Sequence, residues 1–372
     1  MLKKVAAAFI FAVSVFTAPF SYAQDQEETG LRKMAGQMLM AGFRGLTPEQ
    51  CPEILEDIEK RNLGGVILFD YDVSLGKPVR NIQSPSQLKK LVAALKSRAK
   101  TPLLVAVDQE GGQVSRLKEK YGFPKTYSAQ HWGNLDELEK TMAAGRRIGR
   151  TLAEMGINLN LAPCVDVNIN PQNPAIGMLE RSFSANPHKT SVHGRAFAQG
   201  LREADVLSCI KHFPGHGSAY NDSHKGLTDI TDTWQSEELV PFRSIIQSGA
   251  ADMVMTAHLV NENIDPRYPA TLSKNFLTTM LRLGIGWDGV VITDDMQMKA
   301  VADEYSLKKS IELSINAGAD ILLFANNLSW QPDIVENALG MIEGLVLDGR
   351  IKRARIRQSY ERIMNLKGKL PK

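Results

Sequence analysis

Cysteine is scarce, with three residues in 372: Cys51, Cys164 and Cys209, far apart and with no CxxC spacing. Three thiols cannot staple a chain of this length, and Cys-dependent catalysis is not expected. Cys164 and Cys209 sit in apolar runs and read as buried free thiols, with room for one disulfide in an exported protein. No sign of charge dominates: 44 Lys and Arg stand against 41 Asp and Glu, a formal charge of +3. A dedicated nucleic-acid binder would show a basic stripe or patch, so no nucleic-acid partner is expected. The chain also lacks a 20–50-residue repeat and a low-complexity linker. What is present is ordinary globular composition, 43% hydrophobic and 23% charged, enough to bury a sizeable core.

The N-terminus has a layout of its own. Lys3 and Lys4 precede an apolar run over 5–16 broken only by Ser14; Pro19 follows, and Ser21-Tyr22-Ala23 puts small residues at the −3 and −1 positions of a cleavage site. The run is short of the ~20 residues of a membrane span. This is the pattern of a secretory signal peptide over 1–23, leaving 24–372 as an exported chain, periplasmic or secreted, with no membrane span. No Cys stands near the cut, so no lipid anchor is expected there.

From residue 31 onward short apolar runs alternate with longer amphipathic segments. The expected strands are 38–43, 65–70, 103–110, 158–167, 207–214, 253–259, 290–295 and 319–325. Most are nearly continuous apolar runs, as parallel strands buried on both faces require. Helices are expected over 136–156, 188–205, 236–249, 273–283 and 304–317, and after Ser84-Pro85-Ser86-Gln87, which has the form of an N-cap with Pro at N1. The stretch 332–366 divides into two helices near Asp348-Gly349, and Lys352, Arg353, Arg355 and Arg357 read as a solvated face. Eight β-then-α units predict a single-domain (β/α)8 TIM barrel, irregular in places; a doubly wound open sheet is the alternative.

In such a barrel chemistry gathers where the strands end. Strand three ends in Asp108-Gln109-Glu110, strand four in Asp166, strand five in Lys211-His212-Phe213-Pro214-Gly215-His216-Gly217, strand six in His258 and strand seven in Asp294-Asp295. Five polar endings on one face predict an active site. Pro214, Gly215 and Gly217 allow a sharp turn. Asp222, two residues before His224, is suited to fix one ring nitrogen of that imidazole and raise the basicity of the other, which makes a proton donor and acceptor near neutral pH. Asp294 or Asp295 would serve as nucleophile, electrostatic stabiliser or metal ligand; neighbours on a strand face opposite sides, so the sequence alone leaves open which points inward. The four Trp residues read as packing, with Trp132 the one candidate for a sugar platform.

The segments Lys211–Gly217, Asp222-Ser223-His224 and Val291-Ile292-Thr293-Asp294-Asp295-Met296 resemble glycoside hydrolase family 3, and more closely its β-N-acetylglucosaminidase branch. Val107-Asp108-Gln109-Glu110-Gly111-Gly112, Glu180-Arg181-Ser182-Phe183 and Thr256-Ala257-His258 match as well, in order, from about residue 31 to 325. The resemblance implies a retaining mechanism through a covalent glycosyl-enzyme. It implies Asp294, after Thr293, as nucleophile, with Asp295 behind it. His224 would be the general acid/base and Asp222 its partner. Asp108, Arg116, Arg181, Lys211 and His212 would bind the sugar, with His216 and His258 shaping that pocket. Larger relatives, mostly β-glucosidases, draw their acid/base from a second α/β domain; about 50 residues follow Ala325 here, too few for one. The expectation is therefore an exo-acting β-N-acetylglucosaminidase that supplies its own proton donor on a loop after strand five, which swings to the leaving group. Its partner would be a GlcNAc-containing oligosaccharide or muropeptide; it would need no cofactor or metal and be a monomer.

Three departures from the family pattern stand out: extra residues Gly177-Met178-Leu179 before Glu180-Arg181, Gln113 where Arg is common, and Leu227-Thr228 for a frequent Leu-Pro. Other readings are a β-glucosidase or a GlcNAc phosphorylase of the same family, and a sugar-binding protein without catalysis. A metal-dependent amidohydrolase-like barrel, using His212, His216, His224 and His258 with Asp294, is a further one; no His-X-His pair ends strand one, where such sites commonly begin.

Overall fold

The computed structural model describes residues 30–222 and 226–371. The expected signal peptide over 1–23 and the expected acid/base His224 lie outside the described residues. Eight short strands form one parallel sheet: β1 (Leu39–Gly42), β2 (Gly65–Leu68), β3 (Leu104–Val107), β4 (Leu159–Asn160), β5 (Leu207–Phe213), β6 (Met253–Thr256), β7 (Val290–Ile292) and β8 (Leu322–Phe324). Each pairs with the next in chain order from β1 to β7. β8 returns to β1 through Leu39 opposite Leu322, and a bridge between Ile292 and Ile321 joins β7 to β8. The sheet closes on itself, so the architecture is the TIM barrel and not the open sheet.

All eight strands are buried along their length. Side chains fill the inside and helices cover the outside, which is why the strands are apolar without alternation. Of the expected strand over 158–167 only Leu159–Asn160 is regular, although Ala162 O and Pro163 O still accept from Cys209 N at 3.0 Å and Lys211 N at 3.3 Å. Pro163 has no N–H to give a ladder, and Cys164 rejoins the sheet as a lone bridge to Lys211. Two small ladders stand beyond the barrel's C-terminal end. Tyr71–Asp72 pairs antiparallel with Lys77–Pro78 after β2, and Thr228–Asp229 pairs with Leu259–Val260.

The helix Pro85–Arg98 begins as its sequence implies: Ser84 Oγ accepts from Gln87 N at 3.3 Å, with Pro85 in the first turn. The helix expected over 136–156 begins at Leu138 and ends at Glu154; Asp136, with φ of 58°, separates it from a short helix, Ala129–Leu135. Trp132 lies on that short helix with 8% of its surface exposed and packs into the core, so it is not a sugar platform. The C-terminal stretch forms Ile334–Leu347 and Arg353–Lys367.

Arg355 corrects the expectation of a solvated basic face. It is half-buried and donates to Ala319 O at 2.7 Å and Asp320 Oδ1 at 3.2 Å. Ser359 Oγ and Arg282 Nη2 also reach the buried Asp320, each at 2.7 Å. This pins the last helix to the start of β8, whereas Lys352 and Arg357 are exposed. At the N-terminal end of the barrel Lys367 Nζ donates to Gln37 Oε1 at 2.6 Å and Gly64 O at 2.8 Å, and burial pushes its pKa down to about 7. The three cysteines are buried and free. Among the described residues no helix is long and apolar enough to cross a membrane.

Candidate active site

A cavity of about 280 Å³ opens where the strands end. Its polar wall is Asp108 and Arg116 from the loop after β3, Arg181 from the loop after β4, Lys211 and His212 from β5, and Asp294 and Asp295 after β7. Six residues expected at the site from sequence thus converge on one space: Asp108, Arg116, Arg181, Lys211, His212 and Asp294. Lys211 and His212 are neighbours that would point to opposite faces of a regular strand. The register of β5 against β6 shifts between Ile210 and Phe213, and both side chains reach the cavity.

Two carboxylates and three cations interlock along this wall. Lys211 Nζ lies 2.7 Å from Asp108 Oδ1 and 2.8 Å from Glu110 Oε1. Arg116 reaches Asp108 Oδ2 at 3.3 Å. Arg181 grips Glu110 with Nε at 2.9 Å and Nη2 at 2.7 Å. Burial by itself would raise both carboxyls. For Asp108, Lys211 and then Arg116 outweigh it; for Glu110, Arg181 and then Lys211 do, so both are held well below the usual range, Glu110 at about 2. Burial by itself would lower the Lys211 ammonium, and Asp108 and Glu110 raise it. The cluster is therefore ionised and rigid, a set of directed donors and acceptors of the kind that hold sugar hydroxyls.

His212 is oriented from both sides. Its Nε2 faces Arg181 Nη2 at 3.1 Å, and a guanidinium can only donate, so Nε2 accepts. Nδ1 then carries the proton and donates to Asp166 Oδ2 at 2.6 Å. Asp166 also accepts from the backbone N–H groups of His212 and His216, at 3.2 and 2.8 Å. Cys164, Asp166 and His212 bring possible metal-ligand atoms together. Binding an ion through Nδ1 would require moving the proton to Nε2, against the donors of Arg181. The metal-barrel reading finds no support at His258 either. Its Nδ1 bonds Thr271 Oγ1 and its Nε2 bonds Asp295 O, both at 2.9 Å.

The two aspartates after β7 have different tasks. Asp295 is 5% exposed, and its Oδ1 accepts from Gln297 N at 3.1 Å and Ala325 N at 2.9 Å, which ties the end of β7 to the end of β8. Asp294 is half-buried in the cavity wall, and its Oδ1 accepts from Asp295 N at 2.8 Å. Both carboxylates line the cavity; Asp294 is the more exposed of the two, while Oδ1 of Asp295 is held by two backbone N–H groups of the frame.

His216, His258 and Asp222 are not among the described residues that line the cavity. His258 and His216 stand behind the wall, and burial pushes the His216 pKa down to about 4 against the pull of Asp166. The stem of the loop after β5 is bolted down. His216 O accepts from Asn173 Nδ2 at 2.6 Å, Gly217 O from Asn170 N at 3.0 Å, and Ala219 O from Asn170 Nδ2 at 3.0 Å. Gly217 N donates to the buried Glu238 at 3.1 Å. A Cβ on Gly217 would fall 1.6 Å from Val167 O, so only glycine fits there. Asp222 is half-buried.

Glu110 and Asp166 went without a role in the sequence reading. Glu110 had a signal: it lies two residues after Asp108, on the same side of an extended chain. Asp166 had none beyond its strand end, because its partners come from β5, about 45 residues on.

The model of the glycosyl hydrolase family 3 N-terminal domain matches residues 30–366. The chain is 33% identical over 377 residues to beta-hexosaminidase A of Pseudoalteromonas piscicida, covering 91% of this chain and 61% of that protein. It is 34% identical over 316 residues to a beta-hexosaminidase of Xylella fastidiosa, covering 82% of this chain and 87% of that protein. Among solved structures, a family 3 beta-N-acetylglucosaminidase from Paenibacillus superposes with a TM-score of 0.83 at 35% identity, covering 91% of this chain and 62% of that one. A beta-N-acetylhexosaminidase from Beutenbergia cavernae gives 0.78 at 32%, covering 91% and 98%. The chain therefore spans under two thirds of the Pseudoalteromonas and Paenibacillus proteins and most of the other two. With the barrel and the polar wall already in place, these matches show that the chain belongs to glycosyl hydrolase family 3, a family of glycoside hydrolases, and carries that family's N-terminal barrel domain.

Proposed function

We propose that this protein is a retaining exo-β-N-acetylglucosaminidase that removes terminal β-linked GlcNAc from an oligosaccharide or a peptidoglycan fragment. The relatives named as hexosaminidases support the amino-sugar specificity. The observation that carries the mechanism is the difference in setting between Asp294, half-buried in the cavity wall with one backbone N–H on its carboxylate, and Asp295, nearly buried with two backbone N–H groups of the frame on its Oδ1. In the first step an Asp294 oxygen bonds to C1 while the bond from C1 to the leaving oxygen breaks. That oxygen takes a proton from His224, which Asp222 orients. In the second step the imidazole takes a proton from water, the water oxygen bonds to C1, and the bond to Asp294 breaks. Two inversions leave the configuration retained. Asp108, Arg116 and Lys211 hold the sugar through both steps, and the fixed wall needs no rearrangement as charge develops.

The test is a comparison of 4-nitrophenyl β-GlcNAc with 4-nitrophenyl β-glucoside for wild type and Asp294→Ala. Wild type should favour the amino sugar and the variant should lose turnover; equal rates on both sugars would overturn the specificity. The leader over 1–23 belongs to the same proposal, as the signal for export of a monomeric enzyme. Its check is the intact mass of the native protein, which a retained Met1 would contradict.

A further inference from the structure

Most of the partly exposed part of the cavity lining is aliphatic. Val73 after β2, Val114 after β3, Leu179 after β4 and Leu328 after β8 all line it and all reach solvent. Val73 is 49% exposed, and Tyr71, Leu75 and Met178 beside these positions are exposed as well. Leu179 and Met178 belong to the extra residues before Glu180-Arg181. Apolar side chains in water at a cavity mouth call for an occupant.

The position of Val73 is built, not incidental. Its N–H donates to Asn327 Oδ1 and that of Ser74 to Asn327 O, both at 3.0 Å. Asp72, next in the chain and nearly buried, accepts from Arg44 Nε and Arg80 Nη1, each at 2.7 Å, and from Leu75 N at 2.9 Å. The ladder thus presents Val73 at the mouth on a rigid mount. The charge pattern points the same way. Among the described lining residues the cations are Arg116, Arg181 and Lys211, and each is already paired with Asp108 or Glu110. Among the described lining residues a carboxylate on the leaving group would meet no unpaired cation and would face Asp294 and Asp295, a costly desolvation.

We propose that Val73 and Leu179 form an aliphatic collar that receives the leaving-group unit of the substrate, and that the collar selects an uncharged sugar ring, packed through its C–H face, over an anionic one. The inference rests on the glycosidase reading and narrows it to neutral GlcNAc oligosaccharides.

The test measures kcat/KM for chitobiose and for GlcNAc β-linked to N-acetylmuramic acid, with wild type, Val73→Lys, Val73→Ser and Leu179→Lys. Wild type should favour chitobiose by about tenfold, the scale at which one apolar contact discriminates. Each lysine variant should shift that ratio about fivefold or more toward the anionic substrate, and Val73→Ser should weaken chitobiose without helping the anionic one. Equal use of both substrates by wild type, or a ratio that the lysine variants leave in place, would overturn the collar. If no GlcNAc is released from these substrates or from the 4-nitrophenyl glycoside, the glycosidase reading itself falls, and the collar with it.

Discussion

Arg181 and Glu110 meet end to end in a buried bidentate pair, Nε to Oε2 at 2.9 Å and Nη2 to Oε1 at 2.7 Å. Breaking such a pair leaves an uncompensated charge inside the protein, which costs about 3 kcal/mol or more. Glu110→Gln should therefore lower stability by that amount in urea unfolding. It should also weaken substrate binding, because Lys211 loses one of its two carboxylates. Activity and stability would fall together here.

Asp294→Ala and Asp295→Ala should separate the same two properties. Removing the proposed nucleophile should cost at least about 10³-fold in kcat with the unfolding midpoint nearly in place. Asp295→Ala leaves the N–H groups of Gln297 and Ala325 without their acceptor, so it should destabilise by about 2 kcal/mol. Parallel thermal melts and initial rates on 4-nitrophenyl β-GlcNAc check both.

His224→Ala tests the proposed proton donor through its dependence on the leaving group. Loss of general acid catalysis costs about 10²–10⁴-fold when the leaving oxygen needs a proton. Chitobiose hydrolysis should fall by that factor, and a dinitrophenyl glycoside, whose leaving group needs no proton, should fall far less. Equal losses on both would remove His224 from the role.

Lys367 gives the floor of the barrel a pH signature. Its pKa is lowered to about 7 by burial, while in the unfolded chain it lies near the ordinary value of about 10.4. Between those values the unfolded state binds more protons, so this group makes the fold more stable as pH rises from 7 toward 10. Lys367→Met has no group that titrates there. The stability of wild type relative to Lys367→Met should increase by about 2 kcal/mol from pH 7 to pH 9, read by chemical unfolding at each pH. A constant difference would show that the amine is not desolvated.

The eight strands were legible because burial on both faces leaves each as an apolar run. The irregular places were those where local conformation overrides that pattern: β4 is regular over only two residues before Pro163, and the helix expected from Asp136 starts at Leu138, because Asp136 in the left-handed region ends a short helix, Ala129–Leu135, that was not expected. The cavity residues at strand ends were legible one by one, and Asp108, Arg116, Arg181, Lys211, His212 and Asp294 share one space. Their wiring was not. That Glu110 rather than solvent neutralises Arg181, that Asp166 sets the tautomer of His212, and that Arg355 turns in to Asp320 all depend on contacts between segments far apart in sequence. Local periodicity carries no record of such contacts. The choice between Asp294 and Asp295 was open for the same reason: the partners of Asp295 are backbone groups beyond the strand, one of them at the end of β8.

The central claim is a transient bond between C1 of the sugar and a carboxylate oxygen of Asp294. A fluorinated GlcNAc donor that forms the covalent intermediate quickly and releases it slowly would load the enzyme, and digestion with peptide mass mapping would locate the label. The account predicts one sugar per chain, on the peptide that holds Thr293-Asp294-Asp295 and on Asp294 within it. A label on Asp295 or on another peptide, or full turnover with no adduct at any time, would contradict it.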